Sequence, residues 1–465
     1  MIQGDVVLPG DNAYEFSKQG ILQEFDSVHP QGIVYCETPQ DVSTAIRFAR
    51  DNGIATRTRS GGHNLAGWST SEGMVLDVGR IDHVSPRFGT IRMGPGAQAI
   101  DVLTALSPLD QQVITGTCAT VCAGGFLSGG GIGLQTRKFG IGSDRVVSAG
   151  LVLSDGRYVR ACESRHPDLY WAIRGGGGNN FGVVVDFEVR PISAPTMVYF
   201  DTTWPYDKVQ DLLTTWQEWT YTGSDALGSV LTVFLPDGAE GTVPIVRIMG
   251  GYLGPASEVD GALDELAAQA GVAPTTRTVT EGTYAESMKA IYGCAELTVQ
   301  ECHRTGTNPD AKLPRQAYMR ELTRLLDRPT GAIAAADLLT AFEADRRPGQ
   351  ARNLYIQALG GVANQVPRTE TGYVHRNAEF FVAMATLLND PTPTEEEAHA
   401  AEVWPNRGFG VVDPVSTGET YLNFPNPERS DWRQAYYAEN YPRLLDVKKR
   451  YDAPDFFRHP QSIGS

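Results

Sequence analysis

Basic residues are in the minority in this chain. Its 465 residues include 39 Lys and Arg against 55 Asp and Glu, which gives a formal net charge of −16. No run of Lys and Arg stands out, and a nucleic acid or an anionic membrane surface attracts proteins through such runs. No apolar stretch reaches the roughly 18–20 residues that cross a bilayer. We therefore expect neither a nucleic acid nor a membrane as a partner.

The N-terminal segment lacks the order of a secretory signal. The sequence MIQGDVVLPGDNAYEF contains no basic segment that leads into an apolar one. It therefore predicts a cytoplasmic protein, unless a secretion signal has been removed.

Cysteine is also scarce. Six cysteines in this length do not indicate a disulfide scaffold. Cys294, Cys302 and His303 lie close together in sequence, but no second pair with ligand spacing completes a set for a metal ion. We expect no metal. No GxGxxG sequence opens a strand-turn-helix unit, so a Rossmann nicotinamide site is not indicated.

The length and the apolar patterns indicate an α+β protein with more than one core. A chain of 465 residues favours two domains, or one domain split by an insertion. Before residue 190 the patterns predict strands at 32–36, 55–59, 74–78, 90–93, 146–153, 157–161 and 183–189, with helices from Pro39, at 97–106 and at 167–173. After residue 200 they predict helices at 207–219 and from Ser257, a Ser-x-x-Asp start, and strands at 230–234, 243–249, 353–359 and 379–385. The second group is typical of an antiparallel sheet flanked by helices.

Two glycine-softened loops carry the most informative side chains. The first reads Arg59-Ser60-Gly61-Gly62-His63, and the second, Gly116-Thr117-Cys118-Ala119-Thr120-Val121, leads into the glycine run 124–133. Such loops let the backbone approach a flat, phosphate-bearing cofactor, and the backbone N–H groups of 60–63 are suited to hold a diphosphate. An imidazole and a thiolate are also the side chains best suited to attack an electron-poor ring.

This pair of loops resembles the berberine-bridge-enzyme-like FAD-linked oxidases of the vanillyl-alcohol-oxidase flavoprotein superfamily. The C-terminal segment 421–463 resembles them as well. The resemblance implies a two-part FAD-binding domain, residues 1–198 and 403–465, with a substrate domain, residues 199–402, inserted between the parts. It also implies a flavin bonded covalently to His63 and Cys118, at the 8-methyl carbon and at carbon 6 of the ring. Cys122 stands where the family usually has glycine, and we interpret it as a buried substitute.

The resemblance also assigns the walls of the site. The segment Gly175–Gly182 resembles the wall for the FAD adenine and diphosphate. The predicted FAD-binding residues are Arg59, Ser60, Gly61, Gly62, Asn64, Gly67, Ser69, Gly116, Thr117, Val121, Gly124, Gly125, Gly129, Gly130, Gly131, Gly133, Gly182, Val183, Val184, Tyr421 and Asn423. The predicted substrate pocket consists of Ile132, Val382, Met384 and Phe424.

The catalytic base is the point at which the chain departs from the family. Many relatives place tyrosines in YxNY and GGGYG motifs, where this chain has Phe424 and Ile132. Plant relatives use a polar residue on the strand after a His-Arg pair; the pair is present as residues 375–376, but the strand offers Val382 and Met384. Alternation along a strand is expected to turn Tyr421 away from the side of Phe424. The remaining candidates for the base are Tyr318, Tyr355 and Glu379.

The resemblance therefore implies an oxidase that takes a hydride from a hydroxyl-bearing small molecule and passes the electrons to dioxygen, forming hydrogen peroxide. The substrate is expected to be a natural-product intermediate or a sugar moiety, and the missing tyrosines favour an apolar pocket. In the family, oxidases have valine three places after the cysteine that is bonded to the flavin. This chain has Val121 at that position, three places after Cys118. A dehydrogenase that does not use oxygen and a flavin-carrying protein without turnover are the alternatives.

Overall fold

The computed structural model describes residues 2–465, and its first sheet carries the first glycine-softened loop. This sheet has the order β1-β2-β4-β3, with β2 and β3 both parallel to β4. Its strands and neighbouring helices are β1 (Val6–Val7), α1 (Tyr14–Ser17), β2 (Gly32–Tyr35), α2 (Pro39–Asp51), β3 (Thr56–Arg59) and β4 (Met74–Asp77). Thr38 and Asp41 form a capping box at the start of α2. Residue 63 follows β3 and therefore lies at the carboxyl end of a parallel strand.

A second, antiparallel sheet supports the cysteine loop. Its strand order is β5-β6-β10-β8-β9, and a two-stranded sheet of β11 and β7 lies outside it. The elements of this region are β5 (Val84–Pro86), β6 (Ile91–Met93), α3 (Ala99–Leu106), β7 (Gln111–Gln112), α4 (Ala123–Ser128), α5 (Thr136–Phe139), β8 (Val146–Val152), β9 (Tyr158–Cys162), α6 (Pro167–Ala172), β10 (Val183–Val189) and β11 (Ile192–Ser193).

The third sheet has seven antiparallel strands in the order β15-β12-β14-β13-β17-β18-β16. Its elements are β12 (Thr196–Trp204), α7 (Val209–Thr222), β13 (Leu227–Leu235), β14 (Ile245–Tyr252), α8 (Ala256–Ala270), β15 (Thr276–Thr283), α9 (Tyr284–Ile291), β16 (Tyr318–Leu326), α10 (Gly331–Glu343), β17 (Gln350–Ala358), β18 (Phe380–Leu388) and α11 (Glu395–Val412). Helices α7, α8, α10 and α11 bury one face of this sheet in the largest hydrophobic cluster. Tyr355 and Phe381 lie on the other face.

The C-terminal helices return to the second sheet. Helices α12 (Trp432–Tyr437) and α13 (Tyr441–Tyr451) share a hydrophobic cluster with strands β6, β8 and β10. Leu444 and Tyr437 are among its fully buried members. The last residues of the chain are therefore packed against elements near its beginning.

The predicted α+β class is confirmed, and most predicted strands and helices are present. Helix α8, however, is capped at Pro255 without a side-chain hydrogen bond, so the prediction of a Ser257 cap is wrong. The strands β12, β15 and β16 and the helices α9, α10 and α11 were not predicted. The boundaries at residues 198 and 402 stay a prediction.

Two further features bear on the expectations. No helix among residues 2–465 is long and apolar enough to span a bilayer. Cys294 and Cys302 form a disulfide, so these two sulfurs, considered above as possible metal ligands, are bonded to each other.

Candidate active site

A cavity of about 410 Å³ lies where the three sheets and the C-terminal segment meet. Its walls come from the two glycine-softened loops, from the segment 177–184, from the turn 421–424, and from the free face of the seven-stranded sheet. Segments that are far apart in sequence thus converge on one space. The convergence places nucleophilic side chains beside an apolar wall.

His63 lies in this cavity on the loop after β3. Gly62 adopts φ 70°, which a residue with a Cβ rarely adopts, and this lets the loop turn back toward the second sheet. The Nε2 atom of His63 lies 2.8 Å from the Thr120 hydroxyl. Burial, and then the positive charge of Arg304, lower the pKa of His63 to about 4. The imidazole is therefore neutral at pH 7, and Nδ1 is the nitrogen that Thr120 leaves free.

Cys118 lies on the other side of the same hydroxyl group. Its Sγ atom is 3.6 Å from Thr120 Oγ1, and the residue is exposed to the cavity. Cys122 is much less suited to act as a nucleophile than Cys118. Its thiol is buried and donates to the Gly96 carbonyl at 3.2 Å, and burial raises its pKa far above the usual range. Both residues line the cavity, but Cys118 is exposed there, whereas Cys122 is held as a buried, protonated thiol against Gly61, where a Cβ would come within 2.7 Å of the Cys122 sulfur.

Most of the residues predicted to bind the cofactor line the cavity. Those that do are Ser60, Gly61, Gly62, Asn64, Ser69, Gly116, Thr117, Val121, Gly124, Gly125, Gly182, Val183, Val184, Tyr421 and Asn423. Arg59 does not, because its guanidinium is bonded to Asp77 at 2.5 Å and to the Ser17 carbonyl at 2.6 Å.

The other glycines outside the lining pack against neighbouring groups. A Cβ on Gly67 would meet the ring of Phe25, and Gly129, Gly130, Gly131 and Gly133 pack against Asn423, Tyr373, Phe126 and the Thr115 carbonyl. Direct contact of these positions with the cofactor stays a prediction. Their lack of side chains lets the supporting groups come close.

Tyr421 and Phe424 line the cavity together, contrary to the strand alternation predicted for this segment. Residues 421–424 form a turn, in which the Phe424 N–H donates to the Tyr421 carbonyl at 2.9 Å. The two rings are 5.9 Å apart between centroids. The Tyr421 hydroxyl accepts bonds from the Gly131 N–H and the Asn423 amide, both at 2.8 Å. Burial raises the pKa of Tyr421 to about 12, so this hydroxyl stays protonated at neutral pH.

The substrate side of the cavity is apolar, but two of its predicted residues are wrong. Ile132 and Phe424 line the cavity as predicted. Val382 and Met384 belong to the hydrophobic cluster under the helices, on the opposite face of β18. Phe381 takes the predicted place, and its ring lies 4.7 Å from that of Phe424.

Of the three candidates for the base, the structure keeps one in the cavity. Tyr318 packs with Leu388 and Ala401 on the helix side of the sheet, and the Glu379 carboxylate binds Asn364 at 2.8 Å outside the cavity. Tyr355 lines the cavity and donates to Gln357 Oε1 at 3.0 Å. Burial raises the pKa of Tyr355 above its usual range, which makes it a hydrogen-bond donor and not a base at neutral pH.

Comparison with known proteins agrees with this geometry. A family model described as "FAD binding domain" matches residues 30–161, and one described as "Berberine and berberine like" matches residues 420–464. These are the two parts of the chain that enclose the cavity from opposite ends of the sequence. These matches confirm the predicted resemblance to the berberine bridge enzyme-like flavoproteins. The protein is an FAD-linked oxidoreductase.

Relatives of this flavoprotein match it along nearly its whole length. The FAD-linked oxidoreductase YgaK of Bacillus subtilis (strain 168) is 28% identical, over 99% of this chain and 97% of the relative. The (R)-6-hydroxynicotine oxidase of Paenarthrobacter nicotinovorans is 27% identical, over 99% and 97%. Among solved structures, Physcomitrella patens BBE-like 1 superposes with a TM-score of 0.87 at 22% identity, covering 99% of this chain and 97% of the other. A chitooligosaccharide oxidase superposes with a TM-score of 0.85 at 21% identity, with the same coverage.

The cavity of this flavoprotein fits FAD. Both polar atoms of the Asn179 side chain are buried without a hydrogen-bond partner, and so is Nδ1 of His459. Both residues line the cavity, and buried polar atoms normally have partners. A ligand with many polar groups, such as the ribose, diphosphate and adenine of FAD, would satisfy them. Gly61, Gly124 and Gly182 line the same cavity, and a Cβ on any of them would press against neighbouring protein groups.

Several lining residues of this flavoprotein were not in the predicted set. They are Thr58, Leu65, Trp68, Val78, Pro95, Cys122, Phe126, Ser128, Gln357, Phe381, Leu422 and His459, whereas residues 177–180 belong to the predicted wall segment 175–182. Trp68 follows His63 on the same loop and could have been found from that position. His459 comes from the C-terminal segment and stacks on Trp68 with 4.8 Å between ring centroids, a contact that no local pattern indicates.

Proposed function

We propose that this enzyme is a bicovalent FAD oxidase that oxidises a hydroxyl-bearing small molecule and reduces dioxygen to hydrogen peroxide. The observation that carries the proposal is the placement of His63 and Cys118 on either side of the Thr120 hydroxyl in one cavity. A neutral imidazole and an accessible thiol within reach of one flat ring are what two covalent attachments require.

The residues around His63 prepare it as a nucleophile. If the Thr120 hydroxyl accepts the Nε2–H, the lone pair stays on Nδ1, the nitrogen that is not bonded to Thr120. The buried position keeps the imidazole uncharged. Cys118 needs no such preparation by burial, because its thiol is open to the cavity.

A bound flavin would supply a two-electron acceptor for a carbon-bound hydrogen, with dioxygen as the final acceptor. The chain's own residues shape the space for the substrate. Ile132, Phe381 and Phe424 present an apolar wall that excludes water from the reacting carbon. This wall favours a polycyclic or acyl-bearing compound over a free sugar. The polar contacts on this side are the Tyr355 hydroxyl and the Gln357 amide.

Dioxygen as the acceptor is supported by the surroundings of Val121. This residue lines the main cavity and also a second void of about 20 Å³, whose walls are mostly apolar. Gly116 and Phe126 line both spaces as well. A void of this size is large enough for about one small molecule. A small apolar molecule can therefore approach the cavity from behind Val121.

The names of relatives span two substrate classes. One relative is the xylooligosaccharide oxidase of Thermothelomyces thermophilus, 25% identical over 93% of this chain and 87% of the relative. Another is the (R)-6-hydroxynicotine oxidase already described. Both names contain the word oxidase, which fits the proposed use of dioxygen.

The test is anaerobic bleaching of the yellow holoenzyme with three probes: benzyl alcohol, testosterone and cellobiose. We expect benzyl alcohol or testosterone to bleach the flavin. Air should then restore the colour, with one hydrogen peroxide formed per flavin.

Acid-precipitated protein is expected to stay yellow, with flavin peptides at both His63 and Cys118. The matched controls are His63→Ala and Cys118→Ala, each of which should retain the other single link. Release of free FAD from the wild-type precipitate contradicts the covalent part, and recolouring only with an artificial acceptor contradicts the oxidase part.

A further inference from the structure

Glu321 is a carboxyl group that the fold leaves without a partner. It lies on β16, and its Oε1 atom is buried and has no hydrogen-bond donor. Among residues 2–465, no basic side chain forms an ion pair with it, and burial is the one cause that raises its pKa, to about 8. A buried polar group without a partner costs free energy of folding, and such groups cluster at functional sites. This residue was not predicted from the sequence.

The strand register places Glu321 on the side of the sheet that faces the cavity. Glu321 pairs with Ala385, and two residues further along Thr323 pairs with Ala383, whose other neighbour is Tyr355. Cross-strand partners share a face of the sheet, and residues two apart on a strand share it as well. Glu321 is therefore on the same face as Tyr355, which lines the cavity.

The strand between them carries only small side chains at this level. On this face β18 carries two alanines, residues 383 and 385, between Glu321 and Tyr355. The negative charge of Glu321 also acts on Tyr355: burial and this charge raise the pKa of Tyr355, while the Thr117 side chain lowers it. Glu321 does not itself line the cavity, and its carboxyl group lies next to Tyr355, the cavity-lining residue on which its charge acts.

The other charged groups of this region belong to the opposite face. Arg320 stacks on Tyr318 and pairs with Glu24 and Glu402. Arg324 pairs with Asp413 at the C-terminal end of α11. Tyr355 is therefore the titratable group that faces Glu321 from the adjoining strands, and it stays protonated at neutral pH.

We propose that Glu321 is the proton acceptor for the substrate in this cavity. The proposal rests on the proposed oxidase function. In the step, the substrate's O–H bond breaks and its proton goes to a carboxylate oxygen of Glu321. The C–H bond of the same carbon breaks, its hydrogen and both electrons go to the bound flavin as the oxidant, and a C=O bond forms. Tyr355, as a donor, orients the substrate oxygen.

The first experiment follows the Glu321 proton without turnover. pH-difference infrared spectroscopy of the holoenzyme should show a protonated-carboxyl C=O band that disappears as the pH rises through about 8. Glu321→Gln should lack this band. Glu379→Gln is the matched control, because Glu379 is a carboxyl near the same sheet whose side chain is bonded to Asn364 outside the cavity. A band near pH 8 that persists in Glu321→Gln overturns the assignment.

The second experiment measures flavin reduction in a stopped-flow spectrometer with benzyl alcohol or testosterone, whichever bleaches the wild type. The carboxylate is the form that accepts a proton, so the wild-type rate should rise with pH to a plateau above about 8. A positioned base contributes about 10²–10⁴-fold, and Glu321→Gln should lower the plateau by that factor and remove the pH dependence. Glu321→Asp should recover part of the rate, and Glu379→Gln should stay within a few-fold of wild type.

The outcomes separate this proposal from the proposed function. If Glu321→Gln binds flavin normally and is reduced at the wild-type rate with the same pH profile, Glu321 is not the proton acceptor. If neither alcohol bleaches the wild-type flavin, the proposed function fails, and the infrared titration alone decides the state of Glu321: a band that titrates near pH 8 and is lost in Glu321→Gln supports its assignment as the ionisable group next to Tyr355.

Discussion

Thr120 connects the two side chains on which the proposed covalent chemistry depends. Its hydroxyl lies 2.8 Å from His63 Nε2 and 3.6 Å from Cys118 Sγ. The first contact is a short hydrogen bond that can hold the ring and select its tautomer, while the second is a weak contact with sulfur. One hydroxyl can therefore affect the two attachments unequally.

We expect Thr120→Val to reduce the share of flavin bonded to His63 and to leave the bond to Cys118 largely intact. Without a hydroxyl on residue 120, the proton of the imidazole is no longer held on Nε2, and Nδ1 loses its lone pair in part of the molecules. Peptide mass spectrometry of the two flavin peptides measures the shares. Thr120→Ser keeps the hydroxyl and should behave like the wild type; an equal loss at both residues would contradict the role of the hydrogen bond.

Val121 provides a second prediction for a single residue. Because it separates the main cavity from the void of about 20 Å³, a longer side chain is expected to fill that void. Val121→Leu should slow reoxidation of the reduced flavin by roughly tenfold, which corresponds to about 1.4 kcal/mol of added barrier. Stopped-flow mixing with air-saturated buffer measures this step. Reduction by the substrate should change little, and Val121→Ala is the control that keeps the void open.

At the scale of the element, helix α2 depends on one buried carboxylate. Burial raises the pKa of Asp41, but hydrogen bonds from the backbones of Gln3, Glu37 and Thr38 and from the Thr38 side chain lower it below its usual value. A folded-state pKa below that of the unfolded chain means that the contribution of Asp41 is present at neutral pH and lost as the pH falls through this pKa.

Asp41→Asn should therefore lower the free energy of unfolding at pH 7 by about 1–3 kcal/mol, the usual range for hydrogen bonds to a charged group. The difference between mutant and wild type should shrink below pH 4. Chemical denaturation at both pH values measures it. Asp51→Asn, at the exposed C-terminal end of the same helix, is the control and should have little effect. A difference that grows in acid would contradict this account.

The elements also show how far the sequence could predict the structure. Helix α2 was predicted from the position of Pro39 and its apolar face, and the two loops with His63 and Cys118 from their glycines. The face of β18 was not predictable, since a shift of one residue exchanges Val382 for Phe381. The turn at Tyr421 was mistaken for a strand because its hydrogen bonds go to Gly131 and Asn423, and the first of these lies almost 300 residues earlier in the chain. A role for Glu321 could not be predicted from the sequence. Its position near Tyr355 depends on strand pairing and on the two alanines of the neighbouring strand β18.

At the scale of the whole molecule, the six cysteines can be counted in solution. The disulfide uses two of them, and Cys36, Cys118, Cys122 and Cys162 are free in the structure. Titration with a thiol reagent in denaturant, without reductant, should find three thiols per chain if Cys118 is bonded to flavin. Cys118→Ala should also give three, and His63→Ala, which keeps the cysteine link, should give three as well. Four thiols in the yellow wild type would mean that Cys118 is not bonded.

The closure of the cavity by segments far apart in the sequence has a consequence for biosynthesis. Tyr421 and His459 leave the ribosome long after His63 and Cys118, although all four residues line the same space. The pocket is therefore incomplete until the segment 421–459 has been made and α12 and α13 have docked. A covalent flavin bond would then act as a permanent mark of chains that completed their folding, and the ratio of yellow to colourless protein in a preparation would report how many did.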